Sequence, residues 1–238
     1  MSDPGPAPGP TRRLAVVGTD TGVGKTVVTA GLTGWLREEG VDARAVKPCQ
    51  TGYPPDDDAG FVQDACGDSG AATCLDRLEP PLAPRVAAER EGADLDYADV
   101  LDRAAAALDD PAVGILEGVG GLRVPLAGEH EILDLVADLG PTTILVARSG
   151  LGTLNHTALS VDALRDRGVP VHCIVLNEYA GETVAERTNP AELERMTGLP
   201  VYTLPELGLD GPADAVAGVR EHLPADALPP EILPALDG

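Results

Sequence analysis

Residues 13–26 read RLAVVGTDTGVGKT, and the fold follows from how that stretch is parsed. The apolar run from Arg13 to Gly18 has no polar alternation, so it predicts a strand covered on both faces. A glycine-rich turn follows, and the pattern from Gly24 to Glu39 predicts a helix. Gly18 to Thr26 satisfies G-x-x-x-x-G-K-[ST]. Glycines at that spacing let the backbone curl around a phosphate with successive N–H groups pointing inward, and the helix that follows presents its positive end. Lys25 is placed to neutralise β- and γ-phosphate oxygens, and the Thr26 hydroxyl to coordinate Mg²⁺. The strand before and the helix after supply the context the motif needs, so a chance match is disfavoured and nucleotide binding is expected.

Outward from the motif, the same alternation continues. Asp42 to Lys47 predicts a second strand, and Pro48 to Asp58 a loop. Two helices are predicted over Pro84 to Glu91 and Tyr97 to Leu108, then a buried strand from Ala112 to Glu117. Strands at Thr142 to Ala147, Pro170 to Asn177 and Pro200 to Leu204 alternate with helices at Glu131 to Asp138, Thr153 to Arg167, Glu182 to Thr197 and Ala213 to Leu223. Apolar strands separated by helices predict an α/β fold, a mostly parallel sheet with helices on both faces. No composition break divides it. The expected organisation is a flexible Pro/Gly-rich leader over 1–11, one P-loop domain over 12–223, and a Pro-rich tail over 224–238.

Composition narrows the function classes. The chain has 238 residues, 17 Lys plus Arg against 39 Asp plus Glu, and a net charge of −22. That balance disfavours nucleic acid and anionic membranes as partners. No apolar run approaches the roughly 20 residues of a membrane span, and the first ten residues lack the pattern of a signal peptide. Cys49, Cys66, Cys74 and Cys173 form no C-x-x-C pair, which argues against a zinc site or disulfide scaffold and for a reducing cytoplasm. An acidic, lysine-poor chain also suggests adaptation to concentrated salt, where a Debye length of about 3 Å at 1 M screens self-repulsion. A high-GC bias would exchange Lys for Arg, but would not add so many carboxylates.

Only two of the basic residues are lysines, Lys25 and Lys47. Lys47 is expected at the C-terminal end of the second strand, and ligand sites in open α/β sheets lie beyond those ends. A compact ammonium can follow a moving anion in a way that a guanidinium cannot, so Lys47 is a candidate catalytic residue rather than a surface charge. Glu117, ending its strand before Gly118-Val119-Gly120-Gly121, is a candidate metal ligand. Asp56, Asp57 and Asp58 follow Lys47; most of that run is expected to be solvated, with at most one member reaching a metal. His130, His156, His172 and His222 have no ligand spacing. No nucleophile with its base is apparent, so chemistry here would rest on positioning and charge neutralisation.

At these motifs the chain resembles the dethiobiotin synthetase family. The match consists of GTDTGVGKT at 18–26, KPCQTG at 47–52, an aspartate segment ending at Asp58, PPLAPRVAAEREG at 80–92, LEGVGGLRVPL at 116–126 and LGTLNHTAL at 151–159. It spans residues 13 to about 207. The resemblance implies an ATP-dependent cyclo-ligase that uses Mg²⁺, with 7,8-diaminopelargonate, CO₂ and ATP as substrates. One amine captures CO₂, the carbamate takes the γ-phosphoryl group, and the neighbouring amine closes a ureido ring.

Carried over by position, the resemblance implies that Lys47, Lys25 and Thr21 act at the carbamate and γ-phosphate. Thr26, Asp58 and Glu117 would hold Mg²⁺. Gly22, Val23, Gly24, Val27, Gly118, Val119 and Gly120 would border the nucleotide, with Asn177, Pro205, Glu206 and Leu207 at the base. Thr51 would contact the diamine, and Gly152, Thr153, Leu154 and Asn155 its carboxylate. In the family this last element comes from the other subunit, which implies a homodimer; from the residues alone it reads equally as a helix cap. Gly22 stands where some members of the family carry an acid, and Val119 where a smaller Ala is usual. Two rival readings share the P-loop. A cobyrinate-type amidase would need a glutaminase domain for which there is no room. A partitioning or division-site switch ATPase would need a further lysine where Thr19, Asp20 and Thr21 stand, and a basic or amphipathic contact surface.

Overall fold

The computed structural model describes residues 12–232. The expected leader over 1–11 and the last residues of the expected tail, 233–238, lie outside the described residues. In chain order the elements are β1 (Arg12–Gly18), α1 (Lys25–Glu38), β2 (Ala43–Thr51), α2 (Asp58–Cys66), β3 (Ala72–Leu78), α3 (Pro84–Glu91) and α4 (Tyr97–Asp109). There follow β4 (Val113–Gly121), β5 (Pro125–Ala127), β6 (His130–Glu131), α5 (Ile132–Leu139), β7 (Thr142–Arg148), α6 (Thr153–Asp166), β8 (Val171–Asn177), α7 (Val184–Thr197), β9 (Val201–Thr203) and α8 (Ala213–His222).

Seven strands form one sheet in the order β3-β2-β4-β1-β7-β8-β9, and every pair in it is parallel. β5 and β6 form a separate antiparallel pair. Side chains alternate across the pleat. Ala15, Val17, Val46, Leu116, Leu145 and Leu176 face a core shared with α3 to α7. Leu14, Val16, Ile115, Val146 and Val175 face a second core shared with α1 and α8. The result is three layers, helices covering both faces, as the unalternated strands predict. On the second face Gly31 and Gly34 of α1 let α8 approach closely: a Cβ at either would lie 2.3 Å from Val219 or Val216.

Several features differ from the sequence reading, the β5–β6 pair among them. β3 was not anticipated, because an edge strand with half-exposed residues and an Asp76-Arg77 pair lacks a continuous apolar run. α2 was not anticipated either. It begins inside the aspartate run, with the Asp57 carboxylate accepting from Gly60 N at 3.1 Å as its N-cap. Past Leu223, the segment expected as a tail carries Ala227, Leu228 and Ile232 fully buried into the second core. The apolar side chains between its prolines carry that packing.

Candidate functional site

The phosphate loop is fixed from two directions. Gly24 caps α1 at φ 95°, ψ 21°, a left-handed conformation suited to glycine. A Cβ there would also come within 2.0 Å of the Asn177 amide nitrogen, which donates to Val23 O at 3.2 Å. The end of β8 is therefore stitched to the loop, and both conditions exclude any side chain at position 24. Lys25 donates from Nζ to Asp20 O at 2.9 Å. Its pKa is pushed down to about 8, first by burial and then by the neighbouring Lys47 ammonium.

Lys47 does not stand at the end of its strand as expected. β2 runs on to Thr51 because it stays paired with β3 up to Thr51↔Leu78. Its pairing with β4 covers Ala43–Val46 against Val113–Leu116. Past that register the next residues along the two strands are Lys47 and Glu117, and their side chains meet. Lys47 Nζ donates to Glu117 Oε1 at 2.8 Å and to Gly118 O at 3.2 Å, and it forms an ion pair with Asp58. Thr26 Oγ1 donates to the same Glu117 oxygen at 2.9 Å. Lys47 and Glu117 are both buried.

These contacts set the electrostatics. Burial pushes the Lys47 ammonium down, but Glu117 and Asp58 outweigh it and the net shift is upward. For Asp58, burial works upward while Lys47 draws the pKa below the usual carboxylate range. For Glu117, burial dominates and the shift is upward despite Lys47. Two carboxylates against two ammonium groups give a balanced, desolvated cluster, the arrangement that allows buried charge. Among the described residues no three His, Cys, Asp or Glu side chains gather as a metal cluster. Asp58, Glu117 and the Thr26 hydroxyl are instead a small hard-oxygen set, which fits Mg²⁺, an ion that keeps waters and phosphate oxygens as its other ligands.

Lys25, Thr26, Lys47 and Asp58 of this cluster line a cleft of about 810 Å³, while Glu117 is buried and does not reach its surface. Thr21, Gly22, Gly24, Lys25, Thr26 and Val27 line one side, Lys47, Thr51 and Asp58 the floor, and Val119, Gly120 and Asn177 further wall. Val23 is buried in the core beneath the loop. Asp56 and Asp57 border the cleft as well, but Asp58 is the member of the run that pairs with Lys47. Gly152, Thr153, Leu154 and Asn155 are not among its lining residues, nor are Pro205, Glu206 and Leu207. Just before α6, Leu151 is 98% exposed and Gly152 is left-handed at φ 94°, while Thr153 is buried. Glu206 is exposed, and Leu207 packs against the second core.

Sequence reasoning passed over several residues that shape the cleft. Gln50 accepts from Asp58 N at 3.1 Å and donates to Thr51 O at 2.9 Å, fixing the start of α2 below Lys47; its place inside KPCQTG is the cue that marks it. Phe61, Leu82 and Val124 give the cleft an apolar wall. Arg148, ending β7, donates to Thr21 O at 3.3 Å. Leu82 and Val124 lie within the 80–92 and 116–126 motifs, Phe61 and Arg148 in none, and only the fold brings the four together.

A family model described as an AAA domain matches residues 12–207. The ATP-dependent dethiobiotin synthetase BioD of Haloferax mediterranei is 65% identical over 218 residues, covering 92% of this chain and 94% of the relative. The protein of the same name from Aquifex aeolicus is 34% identical, covering 89% and 97% respectively. Among solved structures, a ParA family ATPase from Chlorobium tepidum superposes with a TM-score of 0.60 at 12% identity, covering 96% of this chain and 98% of that one. The septum site-determining protein MinD of Pyrococcus horikoshii, solved with Mg-ADP, gives 0.54 at 19% identity, covering 95% and 94%. At those identities the likeness is one of fold alone. The convergence of the phosphate-loop, β2 and β4 motifs on one cleft and the curated relatives agree: the chain belongs to the ATP-dependent dethiobiotin synthetase family.

Proposed function

We propose that this enzyme carboxylates 7,8-diaminopelargonate with CO₂ and closes its ureido ring with ATP, giving dethiobiotin, ADP and phosphate. The observation that carries the reading is the junction of Lys25 with Lys47, Thr26, Asp58 and Glu117 beneath one cleft. An amine adds to CO₂ and loses a proton. The carbamate oxygen then displaces ADP from the γ-phosphorus, and the second amine attacks the carbonyl carbon with loss of phosphate. Negative charge sits at every reacting oxygen, and two ammonium groups with the loop N–H donors answer it. Lys25 neutralises the β- and γ-phosphates, Lys47 the carbamate and the transferring group, and Thr21 lies beside both. Thr26, Asp58 and Glu117 would hold Mg²⁺, which supplies charge neutralisation at the triphosphate. Asn177 faces the base from the end of β8, with Pro205, Glu206 and Leu207 flanking it.

Thr51, on the cleft floor, contacts the diamine. Gly152 to Asn155, held outside this chain's own cleft, serve the cleft of a second copy, so the working form is a homodimer in the cytoplasm. No helix among the described residues is long and apolar enough to cross a membrane. The charge of −22 speaks against nucleic acid as a partner and supports function in concentrated salt. The reading is tested by incubating the protein with ATP, labelled bicarbonate and the diamine. Label in a cyclic urea is expected. ATP cleavage without labelled urea would point instead to a switch ATPase.

A further inference from the structure

An ammonium has three N–H donors, and Lys47 has assigned all of them within the chain. One goes to Glu117 Oε1 at 2.8 Å, one to Gly118 O at 3.2 Å, and one is engaged in the ion pair with Asp58. The carboxylates it holds are the two that, with Thr26, make up the hard-oxygen set, and Thr26 donates to the same Glu117 oxygen. Lys47 therefore sits among the oxygens of the cation site itself. In this arrangement it has no donor left for a substrate anion.

We propose that Lys47 is the built-in counter-ion of Asp58 and Glu117, and that its ammonium exchanges with a divalent cation on those oxygens before it engages substrate. The proposal rests on the reading of the cleft as a Mg²⁺–nucleotide site. Moving Lys47 away with nothing in its place would strand the buried Glu117 carboxylate and leave the half-buried Asp58 unpaired, which is strongly unfavourable. Its release is thus tied to a replacement cation that satisfies the same oxygens. The positive charge needed at the transferring group would become available only once metal and nucleotide are loaded. Lysine suits such an exchange, since a point charge can let go one contact at a time, whereas a guanidinium would clamp a carboxylate bidentately. In a chain with fifteen arginines and two lysines, that choice of cation has a physical reason.

The two lysines make the test direct. The full chain, labelled with ¹⁵N and ¹³C in lysine alone, gives two side-chain resonances, and Lys47→Arg assigns them. ADP with a chelator is expected to shift Lys25 alone. ADP with Mg²⁺ is expected to shift Lys47 and to raise the proton-exchange rate of its ammonium tenfold or more. A Lys47 resonance unmoved by Mg²⁺ and ADP, or moved equally by ADP without metal, would overturn the exchange while leaving the nucleotide reading intact. A Lys25 resonance unmoved by ADP would overturn the nucleotide reading and the exchange with it. A second measurement is the Mg²⁺ dependence of ADP binding by calorimetry. Lys47→Arg should need at least tenfold more Mg²⁺ for the same affinity and Lys47→Gln less than the wild type, and equal dependence in all three would also overturn the proposal.

Discussion

The two halves of the sheet treat the cleft differently. On the side of β1, β2 and β4, Lys25, Lys47 and Glu117 are buried and Thr26 and Asp58 half-buried; Lys47, Glu117, Asp58 and Thr26 are joined to one another, and all five are carried on adjoining parallel strands or on the first turns of α1 and α2. On the side of β7, β8 and β9, Asn177 alone is buried and faces the cleft. Leu151, Asn155 and Glu206 are exposed. Groups that neutralise reacting charge need a fixed, dry setting, because electrostatic stabilisation is strongest where water is excluded and nothing has to reorganise. Groups that recognise a base or an alkyl carboxylate can be supplied by loops, or by a second chain. If this division is right, substitutions in the first half strike chemistry and metal, and those in the second strike affinity and assembly.

The largest effect is expected at Lys47. Lys47→Ala should lower turnover about 10²- to 10³-fold, the scale for losing one preorganised charge-stabilising donor, with ADP affinity largely kept. Single-turnover kinetics beside calorimetry separate the two. A variant that closes the ring at the wild-type rate would remove Lys47 from the chemistry and erase the contrast between the halves. Next comes Thr26→Val, which deletes the hydroxyl on Glu117 while keeping shape. The Mg²⁺ concentration for half-maximal activity should rise about 10- to 100-fold, as when a metal site loses a partner group. An unchanged Mg²⁺ titration would exclude Thr26 from the site.

How far the sequence discloses this division depends on how local each feature is. The phosphate loop is a run of nine residues, so its turn, its lysine and its helix can all be read directly. The layered parallel fold is legible too, since β1, β4, β7 and β8 are unbroken apolar runs. β3 and α2 are not: one is a half-exposed edge strand, and the other starts among charges that read as solvated loop. That gap explains the misplacement of Lys47, whose strand extends past it only because β3 continues to pair. Lys47 and Glu117 are individually conspicuous in the sequence. Their 2.8 Å contact spans 70 residues and depends on β2 leaving β4 after Val46, a register that no local pattern records. Within the aspartate run only the family resemblance points to Asp58, and its ion pair with Lys47 is a tertiary contact that no local pattern records.

On the second half, Leu151→Asp is expected to weaken dimer formation. Burying a leucine contributes about 1.5–3 kcal/mol, so putting a charge there should raise the dimer dissociation constant tenfold or more. Sedimentation at a series of concentrations reads this, and the KM for the diamine should rise alongside it while ATP binding to the isolated chain stays put. A variant that remains dimeric with an unchanged diamine KM would mean that α6 caps nothing beyond its own fold, and the second half would lose its assembly role.

The smallest effect should separate the base-side residues from one another. Asn177 is buried, and its amide touches Val23 O on the phosphate loop, so a ligand contact there would be held rigidly and shielded from water. Glu206 is exposed, and any contact it makes competes with solvent. One neutral hydrogen bond contributes about 0.5–1.5 kcal/mol, which corresponds to roughly a two- to twelvefold change in affinity. Asn177→Ala should therefore raise the KM for ATP by up to about tenfold and narrow the preference for ATP over GTP. Glu206→Ala should move either by less than about twofold, since an exposed contact lies at the bottom of that range. Competition kinetics with both nucleotides measure the difference. If Glu206→Ala proves the more damaging of the two, the base is read from the β9 end rather than from β8. Part of what is assigned here to the rigid sheet would then belong to the loop that leaves it.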